Sequence, residues 1–188
     1  MIPHQMNDSQ MFIAGWYMDD TSMCDEIIEF HKNSPNKYEG VSAIGVDKTV
    51  KDSTDANLGG EVLSKYALNL QTVAEEYMKK YSFCDFYAPW RVISPIIVQQ
   101  YEPKGGYHQW HCERGRTDMP STTRHLVFMT YLNDVTDEGE TEFFYQKLKV
   151  KPQKGLTLIW PADWTFTHRG IPSQTQEKYI ATGWFNFV

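Results

Sequence analysis

The stretch His111-Cys112-Glu113 puts two metal-binding groups two residues apart. On an extended strand alternate side chains share a face, so His111 and Glu113 project together with Tyr107 and Gln109, while His108, Trp110 and Cys112 face the other way. An imidazole and a carboxylate so placed can chelate one divalent ion with little backbone distortion. A hydrogen-bonded surface pair has the same signature, and such pairs are common by chance. His168, on another short β-type run (Phe166–His168), adds a second imidazole. Two imidazoles and one carboxylate leave coordination positions open; the set suits non-haem iron(II), and zinc accepts the same donors. His108 is the competing ligand, but a strand turns it away from His111.

Lys178 lies ten residues beyond His168 (178 − 168 = 10) on the last β-type run. One face of that run carries Lys178, Ile180, Thr182 and Trp184. The other carries Tyr179, Ala181, Gly183, Phe185 and Phe187, almost wholly apolar or small, which suits core packing and turns Lys178 toward the interior. An ammonium there is costly without an anion; the alternative is a lysine that snorkels to water at the strand end. Of the remaining polar residues, His125 begins an apolar strand and reads as a core or rim histidine, and His4 and His31 read as solvent-facing or helix-packed. Arg114, Arg116 and Asp118, with Arg169, form either solvated turns or a substrate rim. Trp16-Tyr17 reads as core or edge packing.

Helices and strands must hold these groups in place. Ser22 with Asp25 makes a capping-box pattern, followed by Cys24, Ile27, Ile28 and His31 at helical spacing. After Gly59-Gly60, Leu63, Tyr66, Ala67, Leu70, Val73, Ala74, Tyr77 and Met78 trace the apolar stripe of a longer helix. Each helix has one face to bury, and a sheet must supply the partner surface. Between them runs a long stretch rich in Asn, Ser, Asp and Gly, about residues 32–60, with a strand as an option over Gly40–Val46. Stretches of this kind are disordered or form lids. From Pro95 onward short β-type runs are separated by turn residues: Ile96–Tyr101, Tyr107–Glu113, Leu126–Leu132, Glu142–Tyr145, Gly155–Trp160, Phe166–His168 and Tyr179–Phe187. Closely spaced strands without intervening helices predict an antiparallel sandwich or open barrel.

The length of 188 residues predicts one domain, with helical support over about 1–90 and a β core over about 91–188. Eighteen basic against twenty-four acidic residues give a net charge of −6, which argues against a large nucleic-acid-binding face. Three scattered cysteines, Cys24, Cys84 and Cys112, form no disulfide framework, so a reducing, cytoplasmic setting is expected. The polar N-terminus carries no secretion signal, and no apolar run is long enough to span a membrane.

From Gln99 to Phe187 the chain resembles the prolyl-4-hydroxylase-type 2-oxoglutarate oxygenases. In that family a Tyr, a Gly-containing turn and a second Tyr precede His-x-Asp; here YEPKGGYHQWHCE supplies Tyr101, Tyr107, His111 and Glu113. An Arg-led strand ending in Tyr-Leu-Asn follows (Arg124, Tyr131, Leu132, Asn133), then EGETEF for Gly-Gly-x-Thr-x-Phe (Gly139, Thr141, Phe143) and a Pro-x-x-Gly turn at Pro152 and Gly155. The distal His-x-Gly-x-Pro, Lys, Trp motif reads HRGIPSQTQEKYIATGW. Glu113 stands where the family usually has Asp. Its extra methylene reaches farther toward the metal, and other oxygenases of the superfamily use His-x-Glu. A carboxylate there also argues against halogenation.

The resemblance implies an α+β, mainly β fold: a double-stranded β-helix (a jelly-roll or cupin-like barrel) with N-terminal helices packed on one sheet. It implies that His111, Glu113 and His168 ligate Fe(II), and that 2-oxoglutarate chelates the iron through its keto-acid end. Lys178 would hold the far carboxylate with Tyr101 as hydrogen-bond partner, Thr141 and Trp184 would line the cavity, and ascorbate is an optional reductant. The implied reaction hydroxylates a C–H bond, with a prolyl residue of a peptide or protein as the favoured substrate under a lid from the 32–60 stretch. Rival readings are an oxygenase of a free amino acid, small metabolite or nucleobase, a non-catalytic metal- or ligand-binding barrel, and a zinc hydrolase.

Overall fold

The computed structural model describes residues 2–4, 12–115 and 118–188. The period-2 alternation of the last strand sets the plan of the fold. In β12 (Lys178–Phe187), Tyr179, Ala181 and Phe185 enter one apolar core. Ile180 enters a second core, with Trp184 packed against it. Gly183 sits between them because nothing larger fits: a β-carbon there would lie 2.5 Å from Cζ of Phe128.

Among the described residues β12 lies near the middle of a nine-stranded sheet. Its other strands are β1 (Ile2–His4), β2 (Ala14–Tyr17), β3 (Tyr38–Glu39), β4 (Thr54–Asn57), β5 (Trp90–Val92), β6 (Ile97–Tyr101), β7 (Arg124–Tyr131) and β10 (Leu156–Pro161). The order is β1-β2-β10-β7-β12-β6-β4-β3, with β5 also paired to β12. A smaller sheet holds β8 (Thr141–Phe143), β9 (Leu148–Val150) and β11 (His168–Gly170) in the order β11-β8-β9. The sheets do not close into a continuous barrel.

Two helices, α1 (Ser22–Asn33) and α2 (Gly60–Lys80), cover the outer face of the large sheet. Most of the predicted stripe on α2 is buried: Tyr66, Leu70, Val73, Ala74 and Tyr77 pack with Val98, Phe128 and Ala181, whereas Leu63 and Met78 are half-buried and Ala67 is exposed. Burial of a large apolar side chain contributes roughly 1.5–3 kcal/mol, which orders the helices more firmly than their own propensities do. Tyr66 ties helix to sheet through a buried hydroxyl chain, 2.7 Å to Thr130 and from there 2.7 Å to Thr157. Trp16 is buried in this core, as the packing expectation for Trp16-Tyr17 requires.

Several local expectations are corrected. Residues 107–113 form no continuous strand; Tyr107 bridges to Lys51, His111 bridges to His168, and the chain between them is irregular. Phe166 ends a 3-10 turn (Trp164–Phe166), and the strand begins at His168. No side chain makes the capping-box bond of α1 at its N-cap Thr21; Asp20 instead accepts from the backbone N–H of Ser22 at 2.8 Å. Gly40–Val46 is not a strand but a turn closed by a Ser42–Gly45 bridge. The polar 32–60 stretch supplies β3 and β4, which extend the large sheet beyond β6. No helix is long and apolar enough to cross a membrane.

Candidate active site

His111 and His168 meet through their backbones. Each N–H donates to the other's carbonyl, at 3.0 and 2.9 Å, so the two residues lie directly opposite each other, with imidazole centroids 4.4 Å apart. Both rings are set by one device: Nδ1 of His111 lies 2.9 Å from the carbonyl of Gln109, and Nδ1 of His168 lies 2.9 Å from that of Phe166. A carbonyl can only accept, so each Nδ1 carries a proton, and in the neutral ring it is Nε2 that has the free lone pair. Tyr107 stacks on His111 with centroids 3.6 Å apart and planes 11° from parallel, and Trp160 packs edge-on to His168.

Both Nε2 atoms face one oxygen of Glu113. Oε1 lies 3.5 Å from Nε2 of His111 and 3.6 Å from that of His168, and one ligand atom from each residue falls within 4.8 Å of the others. These gaps are longer than charge-assisted hydrogen bonds. They fit a shared ion, since metal–donor bonds of about 2.1 Å place neighbouring donors only a few tenths of an ångström closer than this. The other oxygen, Oε2, accepts from Nε1 of Trp184 at 2.9 Å. Arg124 donates to the Glu113 carbonyl at 2.8 Å, lies 3.4 Å from Oε2, and stacks its guanidinium 3.6 Å over the Trp184 ring. The longer glutamate is therefore held from behind by an indole and an arginine, with Oε1 turned to the histidines. Burial alone would raise the Glu113 carboxyl, but the two histidines outweigh it and hold the group well below the usual carboxylate range. Burial and His168 lower the pKa of His111, which favours the neutral, ligating imidazole.

The triad opens into a cavity of about 630 Å³ between the sheets. Lys178 enters it from β12 and is 4% exposed. Its ammonium donates to the carbonyl of Gly139 at 2.9 Å and lies 3.4 Å from that of Ile171. Gly139 adopts φ +81°, the left-handed conformation that favours glycine, so the turn can deliver that carbonyl. Among the described residues no carboxylate forms an ion pair with Lys178, and burial lowers its pKa to about 8 against a smaller opposing effect of Glu140. The Tyr101 ring lies 5.1 Å from the ammonium, but its hydroxyl donates to Oε1 of Gln99 at 2.8 Å rather than toward Lys178. Thr141 lines the same cavity and takes a 2.6 Å hydrogen bond from Tyr131. Trp184 lines it too, chiefly as the partner of Glu113.

Residues 96–186 match the sequence pattern of the 2OG-Fe(II) oxygenase superfamily. Those residues carry the 2OG-Fe(II) oxygenase domain. No curated protein sequence matches the chain significantly. Among solved structures, the oxygenase is similar to a viral collagen prolyl hydroxylase of Paramecium bursaria Chlorella virus-1 solved with 2OG (22% identity, 95% of this chain and 98% of that one, TM-score 0.69). It is also similar to a Pseudomonas putida prolyl-4-hydroxylase (14%, 95% and 94%, 0.73). A third likeness is to a Trichoplax adhaerens prolyl hydroxylase in complex with a hypoxia-inducible-factor peptide (18%, 95% and 84%, 0.74). These likenesses bear out the double-stranded β-helix as the fold. The oxygenase is a 2-oxoglutarate-dependent dioxygenase using Fe(II) and 2-oxoglutarate. Its donor set fits iron(II), and the buried ammonium, which has no carboxylate partner among the described residues, fits a dicarboxylate.

Other candidates fall away from this centre. His108 is not in the ligand cluster; its backbone N–H pairs with Val50. His125 is a rim histidine bonded to the Cys84 carbonyl, and His31 is buried against β4 through the Thr54 carbonyl. His4 pairs with the Tyr17 hydroxyl. Arg114 pairs with Asp163 and Arg169 with Glu142, while Asp118 lines the cavity. Arg116 lies outside the described residues. The motif reading did not assign roles to Tyr131, Arg124, Gln99, Lys51 or Asp55. Alternation along β7 is the signal that finds Tyr131, since Val127, Met129 and Tyr131 share the cavity face.

Proposed function

We propose that this oxygenase hydroxylates a prolyl residue within a peptide, with Fe(II) held by Nε2 of His111, Nε2 of His168 and Oε1 of Glu113. The observation that carries the reading is the arrangement of one cavity. Three convergent donors form part of its wall, and a buried lysine with no carboxylate partner among the described residues forms another. Bound iron(II), with 2-oxoglutarate and dioxygen, supplies the oxidation: the co-substrate becomes succinate and carbon dioxide, and one oxygen atom becomes the product hydroxyl.

The chain's own residues hold and shape. Lys178 keeps its proton on Nζ and receives the far carboxylate of 2-oxoglutarate, with Thr141 and Tyr131 beside it. Trp184 and Arg124 fix Oε2 of Glu113 so that Oε1 stays with the histidines. Val127, Met129 and Ile180 make the apolar wall that excludes water. The peptide reading draws support from three solved neighbours named prolyl hydroxylases, one of them holding a peptide.

The test is incubation with Fe(II), 2-oxoglutarate and air, offering proline-containing peptides in one arm and free L-proline in the other. The expected result is succinate release with one oxygen gained on a peptide proline. Turnover of free L-proline alone would move the substrate to a small molecule. Activity that survives without oxygen and 2-oxoglutarate would instead favour the zinc hydrolase.

A further inference from the structure

A second lysine is buried at the same cavity. Lys51 is 4% exposed and comes from the segment between β3 and β4. Its backbone bridges to Tyr107, and its ammonium lies 6.0 Å from the ring of Tyr107, the ring that stacks on His111. One aromatic ring thus separates it from the ligand set. Gly40 closes over the side chain, since a β-carbon there would lie 3.0 Å from Cε of Lys51.

The two lysines differ in charge balance. Among the described residues Lys178 donates to carbonyls and pairs with no carboxylate, so its site suits an anion. Lys51 is neutralised by Asp55, which is 1% exposed, through a 2.7 Å contact to Oδ2. Asp55 has further partners: Ser53 donates to Oδ1 at 2.7 Å, and Gln99 lies 3.4 Å from Oδ2. An ammonium has three donors, and among the described residues only Asp55 takes a hydrogen bond from this one. Spare donors on a buried ammonium at a cavity wall call for an acceptor from the ligand. A carboxylate would leave a net negative charge buried beside Asp55, whereas a neutral carbonyl would not.

We infer that Lys51 is a substrate-anchoring residue that donates to a backbone carbonyl of the peptide near the hydroxylated proline, with Asp55 setting its charge and direction. The inference rests on the peptide reading above and deepens it. It also separates the roles of the lysines, Lys178 for the co-substrate and Lys51 for the substrate.

The test uses the full chain loaded with Fe(II). Lys51→Met alone would strand a buried carboxylate, so it is combined with Asp55→Asn, whose amide oxygen can still accept from Ser53. The double variant, checked for folding by thermal unfolding, should raise the KM for a proline-containing peptide about tenfold or more, the loss expected for a hydrogen bond to a charged group. The Kd for 2-oxoglutarate should stay within about twofold of wild type. Lys178→Met should do the reverse. An unchanged peptide KM overturns the inference and leaves the peptide reading standing. A 2-oxoglutarate Kd that weakens in step assigns Lys51 to the co-substrate site and overturns it too. Wild-type turnover of free L-proline but of no peptide removes both. Should the double variant not fold, wild-type enzyme is given peptides with one backbone carbonyl at a time replaced by a thiocarbonyl, a weaker acceptor. Loss at a single position beside the proline supports the inference, and equal turnover across the series ends it.

Discussion

Burial leaves the ammonium of Lys178 with a pKa of about 8, down from 10.5. The displacement corresponds to about 3 kcal/mol of disfavoured charge in the free protein. Its sign makes two opposite predictions. Between pH 8 and 10.5 the unfolded chain holds a proton that the folded chain has released, so stability without ligand rises with pH across that window. Over the same interval 2-oxoglutarate must bring the proton back, so its affinity is flat below pH 8 and falls by up to about tenfold per pH unit above it. Titration of 2-oxoglutarate onto the Mn(II)-loaded enzyme from pH 7 to 9.5 checks this, and Lys178→Arg should flatten the profile because arginine stays charged. A pH-independent affinity in wild type would place the dicarboxylate elsewhere. Trp184 carries a second prediction. Its indole donates to the glutamate oxygen that faces away from the histidines, so Trp184→Phe keeps an aromatic ring but removes that donor and, among the described residues, leaves Oε2 only the 3.4 Å contact with Arg124. Metal affinity should fall about 10- to 100-fold, read by competition with a chelating dye, while Arg124 still holds the backbone of Glu113.

Strand β12 shows what period-2 alternation can reveal and where it stops. The two faces written into Lys178–Phe187 are the two cores of the molecule, and the inward turn of Lys178 follows from the apolar set opposite it. The helix stripe on α2 was equally legible, because ten or more residues of one periodicity outweigh local noise. Lys51 and Asp55 were not legible. They belong to a polar segment whose strand has four residues, and such a strand gains its partners only from the neighbouring β6. Residues 107–113 misled for a related reason: their composition suits a strand, but two isolated bridges hold them instead. His168 was recognisable by type, while the start of its strand was hidden by the turn that ends at Phe166. The prediction at this scale concerns Gly183. A methyl group there would meet the ring of Phe128, which is fully buried. Gly183→Ala should cost about 1–3 kcal/mol by overpacking and lower Tm by several degrees, whereas the same change at exposed Gly115 should leave Tm near wild type.

In the whole molecule the cavity is shared between two sheets and an irregular segment, and each of the three contributes side chains to it. His168 and Thr141 belong to the small sheet, Lys178 and Trp184 to the large one, and His111 and Glu113 to the bridged segment. A metal held by His111, Glu113 and His168 would join the segment to the small sheet and, through Trp184, reach the large one. A dicarboxylate chelated at the metal and paired with Lys178 would join all three. Such a ligand needs the metal for one end and the lysine for the other, so the two binding free energies must be coupled. Any ligand specific for the folded state stabilises by RT ln(1 + [L]/Kd), about 2.7 kcal/mol at a hundredfold excess, or about 5–10 °C for a chain of this size. Thermal unfolding with Mn(II), with N-oxalylglycine, and with both should therefore give a combined shift larger than the sum of the separate ones. N-oxalylglycine alone should give almost none. Lys178→Ala should remove the excess and keep the metal shift. If the shifts simply add in wild type, the dicarboxylate binds without reaching the metal, and the cavity does not bridge the sheets through one shared ligand.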